Sequence, residues 1–542
     1  MRIPNQANAR ILRLILVAAL LARVYWVFTH PHVIDNEGAN YARRADNLLT
    51  GNGFVNIYGD VSLGEAPFYS LLIAVVSSIV RNSELSGLIV SIIVGTCLVL
   101  PLYFIALHTY GERAALGAAI LVALHPFMVL LSASVLSEAT FLFFLLAGVY
   151  FALREIELQT GKYAAFAGAC FALAYVTRSE AILFIGVAFW ALCISAFKRR
   201  RTSAHSGLRL AKFLVPAIVI AAPYVLFLTL NSGHVRLEGV SADNLAVGQR
   251  INAGQSYLQA QNGLAHSTAI SISGAGLVRY ALSAAKRHIR TLYQLLPSAL
   301  FGSPLLLLLV VLGLFRRPWS PRRIGAELFF LLMLLTAFVP LLSIQWFWDR
   351  YAAPFVPFLI IWAGNGCAEL YAWLSDSARS MQRRPPSLRA FGAALILAFG
   401  AIFMVTSFRL IAQAEPRAQT EKNVGLWLAQ HGAAHKKLMD TETIAAYYAG
   451  ANLIEMPYGD SSAALGYIHK EKPDFVVLLG SRANDYPFLR QWLEHGLPDR
   501  KARLVRAFGR SIESKALVYR YCWGCPGQAG AIATSLRRLP AI

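Results

Sequence analysis

Two carboxylates, Asp35 and Glu37, stand just beyond the end of the first long apolar run, in the stretch Val33–Phe54 (VIDNEGANYARRADNLLTGNGF). Directly after them Tyr41, Ala45, Leu48 and Leu49 recur at helical spacing, with Arg43, Arg44 and Asp46 between them. A segment of this kind lies in the membrane interface with its apolar face down. Acids held there suit proton transfer on a substrate that arrives in lipid. Further charged groups stand at the ends of later apolar runs: Glu65, Ser137-Glu138, Thr177-Arg178-Ser179-Glu180 and Asp349-Arg350-Tyr351. Ionisable residues in or beside a bilayer are costly to keep, and they tend to mark functional cavities.

Each of these residues taken alone has a plainer explanation. A single carboxylate at a span end is more often a solvated interfacial group than a catalytic one. Glu180 could be no more than a structural partner for Arg178, and Arg350 with Tyr351 an interfacial anchor. Trp346, Phe347 and Trp348 read as part of an aromatic belt. A site therefore requires these groups to converge, which depends on where the spans place them.

The chain has 542 residues, 56% hydrophobic and only 15% charged, with a mean hydropathy of +0.51. Soluble domains average roughly 25% charged residues, and several apolar runs here reach the roughly 20 residues that cross a hydrocarbon core. The chain reads as a polytopic membrane protein. Its net charge of +21 does not call for nucleic acid, because the arginines cluster in short loops between apolar runs, as the positive-inside rule expects. Arg2, Arg10 and Arg13 precede the first run, Ile11–Phe28, which lacks a small-residue cleavage site and reads as an uncleaved span with a cytoplasmic N-terminus.

Asp35 and Glu37 then emerge outside. The apolar stretch Pro67–Val80 is short and reads as re-entrant or interfacial. Spans are expected near 84–107, 112–131, 137–153, 162–177, 178–197 and 209–230, which puts His108–Arg113, Arg154–Lys162 and Lys198–Arg201 inside. Asn231–Arg290 is a polar external segment. Further spans near 292–315, 325–344, 351–373 and 389–408, separated by the basic stretches Arg316–Arg323 and Arg383-Arg384, give about eleven in all. On this count Glu65, Glu138, Arg178, Glu180 and Arg350 share the outer side with Asp35 and Glu37.

The expected organisation is a transmembrane domain over residues 1–410, with external loops at 30–83 and 231–290, followed by an extracytoplasmic domain over 411–542. Helical patterning in Val424–Gln430 and strand-like Lys437–Met439, Phe475–Leu479 and Ala516–Tyr521 make the latter a small α/β fold. Cys522 and Cys525 form a C-x-x-C that suits a disulfide in an oxidising compartment. The location implied is the inner (plasma) membrane, with the C-terminal domain on the periplasmic side.

These motifs, in this order, resemble those of the GT-C-fold glycosyltransferases that use lipid-phosphate-linked sugars, among them the bacterial relatives of protein O-mannosyltransferases and of the lipid A aminoarabinose transferase. The resemblance runs over essentially the whole chain. An acid four residues before Tyr41, followed by Ala45-Asp46-Asn47-Leu48-Leu49-Thr50-Gly51-Asn52-Gly53-Phe54, matches the family's first loop. Pro67-Phe68-Tyr69, Leu136-Ser137-Glu138, Thr177-Arg178 and Arg350-Tyr351-Ala352-Ala353-Pro354 match later motifs. Many relatives have adjacent Asp-Glu where Asn36 here separates Asp35 from Glu37, and a Pro where Ser179 stands.

The resemblance implies an inverting transfer, in which an acceptor attacks the anomeric carbon of a sugar carried on polyprenyl phosphate. Glu37 would be the general base, with Asp35 as alternative or close partner, and Glu138 would orient the acceptor or a metal. Arg178 and Arg350 would hold the leaving phosphate. Tyr41, Glu65, Glu180 and Tyr351 are the remaining candidates for substrate contact. Whether a divalent metal takes part stays open: Asp35, Glu37 and Glu138 could hold one if they converge, though no close ligand spacing demands it. The partners expected are the lipid donor, membrane lipids and an acceptor that is protein, lipid A or envelope glycan. A transporter or flippase of a lipid-linked or anionic solute is the competing reading. It would want ionisable residues at mid-bilayer and a repeat between halves, and the sequence shows charges at one surface and no obvious repeat.

Overall fold

The computed structural model describes residues 6–30, 32–198, 203–239, 274–296, 303–344, 347–380, 416–457, 459–509 and 511–524. The chain forms two compact units, one of residues 1–30, 63–69 and 88–413, the other of 31–62, 70–87 and 414–542. The helices in order are α1 (Gln6–Thr29), α2 (Asn36–Leu49), α3 (Phe68–Val80), α4 (Ser83–Cys97), α5 (Val99–Tyr110), α6 (Glu112–Leu124), α7 (Pro126–Ser132), α8 (Glu138–Leu158), α9 (Lys162–Tyr175), α10 (Ala181–Lys198) and α11 (Ser203–Ser232). They continue with α12 (Gly274–Leu295), α13 (Ser303–Phe315), α14 (Pro321–Phe338), α15 (Val356–Ser380) and α16 (Pro416–Gln430).

Among the described residues five helical stretches are long and apolar enough to cross a bilayer. They are Gln6–Thr29, Ser83–Tyr110, Glu138–Leu158, Ser206–Ser232 and Pro321–Ser343, and the pair α6–α7, bent by 58°, makes a sixth if taken as one span. The protein is a multi-pass membrane protein, and the described residues do not confirm the eleven spans expected. The expected span at 389–408 lies outside the described residues, as does much of the 231–290 segment. The expected span at 292–315 does not form as one helix. Its start belongs to α12, an amphipathic helix that buries Tyr280, Ala284 and His288 at four-residue intervals, and its end forms α13. The basic residues of α12 lie between those buried positions, so a stretch that reads as polar loop by composition is helical by period.

In the first unit the ends of α8 mark two levels. A helix of 21 residues spans roughly 30 Å, close to the thickness of a hydrocarbon core. At its C-terminal end Arg322 meets Glu157 at 3.0 Å and donates to the His108 carbonyl at 2.8 Å, while His108 lies 3.5 Å from Glu157. The loops that the charge rule put on one side thus touch one another. Glu155 is fully buried there, paired with Arg209 at 2.8 Å and accepting from the Gly161 amide at 3.0 Å.

At the α6–α7 bend the buried Arg23 of α1 donates to the Ala123 carbonyl at 3.1 Å and to Ser132 Oγ at 2.8 Å. It supplies partners for backbone groups that a broken helix would leave bare in lipid.

α13 and α15 approach so closely that a Cβ at Gly366 would lie 1.9 Å from the Leu309 carbonyl oxygen, and one at Gly313 1.9 Å from that of Trp362. Without a hydrophobic drive between helices in lipid, this close backbone contact is what holds such a pair.

In the second unit the C-terminal residues form β1 (Lys437–Asp440), α17 (Ile444–Ala449), β2 (Asn452–Glu455), α18 (Ser461–Glu471), β3 (Phe475–Leu479), α19 (Leu489–His495), β4 (Ala502–Phe508) and β5 (Ala516–Tyr521). The sheet order is β2-β1-β3-β5-β4, with β1 parallel to β2 and β3, and β5 antiparallel to β3 and β4. β3 is buried along its whole length. Trp492 fills the core beside it and donates to Ser461 Oγ at 3.0 Å. Cys522 is disulfide-bonded, and Cys525 lies outside the described residues. The strands expected at Phe475–Leu479 and Ala516–Tyr521 form with those bounds.

Gly366→Ala is expected to force α13 and α15 apart at a cost of about 1–3 kcal/mol, measured as a lower unfolding temperature in detergent. An unchanged unfolding temperature would show that the helices separate without penalty.

Candidate functional site

In the first unit the groups at the N-terminal end of α8 come from three places in the chain. The apolar run before Ser137 ends in a turn, so α8 begins with Glu138 in its first turn, where a carboxylate complements the helix dipole. Glu138 is only 2% exposed. Between α9 and α10 the helix opens for Thr177-Arg178-Ser179-Glu180, and Thr177 folds its hydroxyl back onto the Leu173 carbonyl at 2.6 Å. Arg178 reaches across to both neighbours: Nη1 lies 2.9 Å from Glu138 Oε1, and Nε lies 2.7 Å from Glu180 Oε1. Its guanidinium carbon stands 5.9 Å from the Phe141 ring centre. The third contributor is the start of α3. The Phe68 amide donates to the Val176 carbonyl at 2.9 Å, and the buried Tyr69 hydroxyl lies 2.7 Å from Ser91 Oγ, which in turn donates to the Leu136 carbonyl at 3.3 Å.

Glu138, Arg178 and Glu180 are therefore one ionic cluster, with Pro67-Phe68-Tyr69 packed against the turns that carry it. Two carboxylates against one guanidinium leave a net negative charge. The cluster can orient a cationic or hydroxylic group through its acids, and it holds Arg178 in a fixed plane. A phosphate would have to share Arg178 with them. Glu65 sits half-buried in the segment before Phe68.

Arg350 and Tyr351 lie on a short 3-10 turn, Asp349–Ala352, ahead of α15. The Arg350 guanidinium stands 5.6 Å from the Tyr351 ring, and Phe347 packs edge-on against that ring at 6.4 Å. Trp348 is exposed, and Trp346 lies outside the described residues.

In the second unit Asp35 is the N-cap of α2: its Oδ1 accepts from the Glu37 amide at 3.0 Å. Asp35 is exposed and Glu37 half-buried, one residue into the helix. Tyr41 is buried, stacked under Arg44 at 4.9 Å, and Arg44 also covers Phe54 at 5.0 Å. Here Tyr41 is a packing group that fixes the loop after α2. That loop turns at Gly51 and Gly53, whose φ values of 81° and 80° favour glycine. The Asp46 carboxyl is pushed up by burial, against the opposing pull of the Ser83 hydroxyl and the Arg43 charge.

A cluster that the sequence reading missed surrounds Glu84. His32 Nδ1 lies 2.9 Å from Glu84, the Tyr448 hydroxyl donates to it at 2.8 Å, and Lys422 stands 3.8 Å away while donating to the His32 carbonyl at 2.9 Å. Its two halves, His32 with Glu84 and Lys422 with Tyr448, are separated by more than 300 residues, and nothing in local spacing could have joined them. Among the described residues no group of three His, Cys, Asp or Glu side chains is arranged to hold a metal ion.

Residues 64–227, well under half of the chain, match the family described as dolichyl-phosphate-mannose-protein mannosyltransferase. No curated protein sequence matches this one. Among solved structures the chain is similar to the archaeal oligosaccharyltransferase AglB from Archaeoglobus fulgidus, solved with an inhibitory peptide and a dolichol-phosphate. The TM-score is 0.59 at 13% identity, covering 97% of this chain and 75% of that one. It is equally similar to ArnT from Cupriavidus metallidurans bound to undecaprenyl phosphate, with a TM-score of 0.59 at 13% identity, covering 96% of this chain and 99% of that one. At these identities the likeness is one of fold, and the fold is GT-C.

Arg178→Ala should leave Glu138 buried without its cation, at a cost of about 3–5 kcal/mol. Unfolding temperatures in detergent measure this, and Arg178→Ala with Glu138→Gln should recover part of the loss. Equal losses in the single and double variants would show that the pair is not coupled.

Proposed function

We propose that this glycosyltransferase of GT-C fold moves a sugar from a polyprenyl-phosphate donor to an acceptor outside the cytoplasm, with inversion at the anomeric carbon. The observation that carries the reading is the Glu138–Arg178–Glu180 cluster, built from two turns at the end of α8 opposite the basic loops. The two solved neighbours hold dolichol-phosphate and undecaprenyl phosphate, which supports a lipid phosphate as carrier.

In this reading Glu37 takes the acceptor proton as the new glycosidic bond forms, and Asp35 fixes the helix end that carries Glu37. Arg178 and Arg350 take up negative charge as the bond from the anomeric carbon to the phosphate oxygen breaks. Glu138 holds Arg178 in place and orients the acceptor. Glu65, Glu180 and Tyr351 are further candidates for substrate contact.

Protein reconstituted in vesicles with a radiolabelled polyprenyl-phosphate sugar and envelope acceptors should transfer label, and Glu37→Gln should slow transfer by roughly 10²–10⁴. Full activity in Glu37→Gln would move the base elsewhere. Movement of intact donor across the bilayer without bond cleavage would favour the transporter reading.

A further inference from the structure

The parallel part of the C-terminal sheet runs β2-β1-β3, so the chain leaves β1 in one direction and returns on its other side. In open α/β sheets the crevice beyond the carboxyl ends of the strands at such a switch point is where ligands bind. Here it lies between the loop after β1, Thr441-Glu442-Thr443, and the turn after β3, Gly480-Ser481-Arg482.

The described structure places part of the same chain against this crevice, and that part is Asn36. Its Nδ2 donates to Glu442 Oε2. Its Oδ1 accepts from the Thr443 amide at 3.1 Å, and the Thr443 hydroxyl lies 2.8 Å from both that oxygen and the Asn36 carbonyl. Glu442 is in turn paired with Arg482 from the β3 turn, and Arg482 reaches Asp485 at 2.9 Å. Behind them Asp440, the last residue of β1, is fully buried, and its Oδ1 accepts from the Thr441 amide at 2.6 Å.

α2 and the loop that follows it are each held once more. Arg43 donates to the Ala446 and Tyr447 carbonyls at 3.1 and 3.4 Å, and the Leu453 amide of β2 donates to the Ile57 carbonyl at 2.9 Å.

We propose that Asn36, Glu442 and Arg482 are positioning residues, through which the C-terminal domain uses its ligand crevice to seat α2 and so sets where Asp35 and Glu37 stand. Asn36 lies between the two acids, and clamping its side chain and carbonyl fixes both. In the run Asp35-Asn36-Glu37 it is the middle residue that faces the domain. The inference rests on the reading that one of those acids handles the acceptor proton.

The test exchanges donor and acceptor across the contact. Asn36→Asp sets two carboxylates against each other. Adding Glu442→Gln restores a hydrogen bond with its direction reversed. Asn36→Asp should speed hydrogen exchange of the α2 amides without loosening β3. It should lower kcat by between roughly tenfold and a hundredfold and leave donor KM within about twofold. The double variant should recover both readouts. Parent-like exchange and kcat in Asn36→Asp, or a double variant no better than the single, would overturn the proposal. If the parent protein transfers no sugar, it is the functional reading that fails, and the exchange data alone decide whether the contact seats α2.

Discussion

An ionised side chain at the edge of hydrocarbon persists only when it is paired, and α8 meets that demand at both ends. At one end Glu138 is held by Arg178. At the other Glu155 is held by Arg209, and Glu157 by Arg322 and Arg154. The two ends differ in kind. The second is rich in arginine and satisfied by backbone amides, as a structural anchor should be. The first has an excess of acid and sits at helix breaks, where side chains can meet a substrate.

The second unit solves a different problem. Glu37 lies on, and Asp35 caps, a 14-residue helix, close to the length at which isolated helices are marginal in water. The N-cap supplied by Asp35 helps, but most of the order comes from outside the helix, through Asn36, Arg43 and the Tyr41–Arg44–Phe54 stack. Burial pushes the carboxyl of Asp440 well above the ordinary range, opposed by the Thr441 hydrogen bonds and the Arg482 charge. A buried acid of this kind costs stability, and it lies directly under the loop that receives Asn36.

Much of this was readable from composition and period. The strands at Phe475–Leu479 and Ala516–Tyr521 were legible because short apolar runs between turn residues have few alternatives. Glu138, Arg178 and Glu180 were legible as span-end charges, although their contact spans 40 residues and only the fold brings them together. α12 was missed because its basic residues dominate composition, while its burial follows a four-residue period. The roles of Asn36 and Glu442 could not be read at all. They face each other across 406 residues, and Asn36 looked like a gap between two acids when it is the residue that holds them.

The central claim is that this chain breaks a sugar–phosphate bond and makes a glycosidic one. Mass analysis of lipids and envelope glycans from cells with and without the gene tests it most directly. The account predicts that without the gene a polyprenyl-phosphate sugar accumulates, while one protein, lipid or glycan species loses the mass of a single sugar. A donor lipid whose distribution changes while every acceptor keeps its full mass would contradict it.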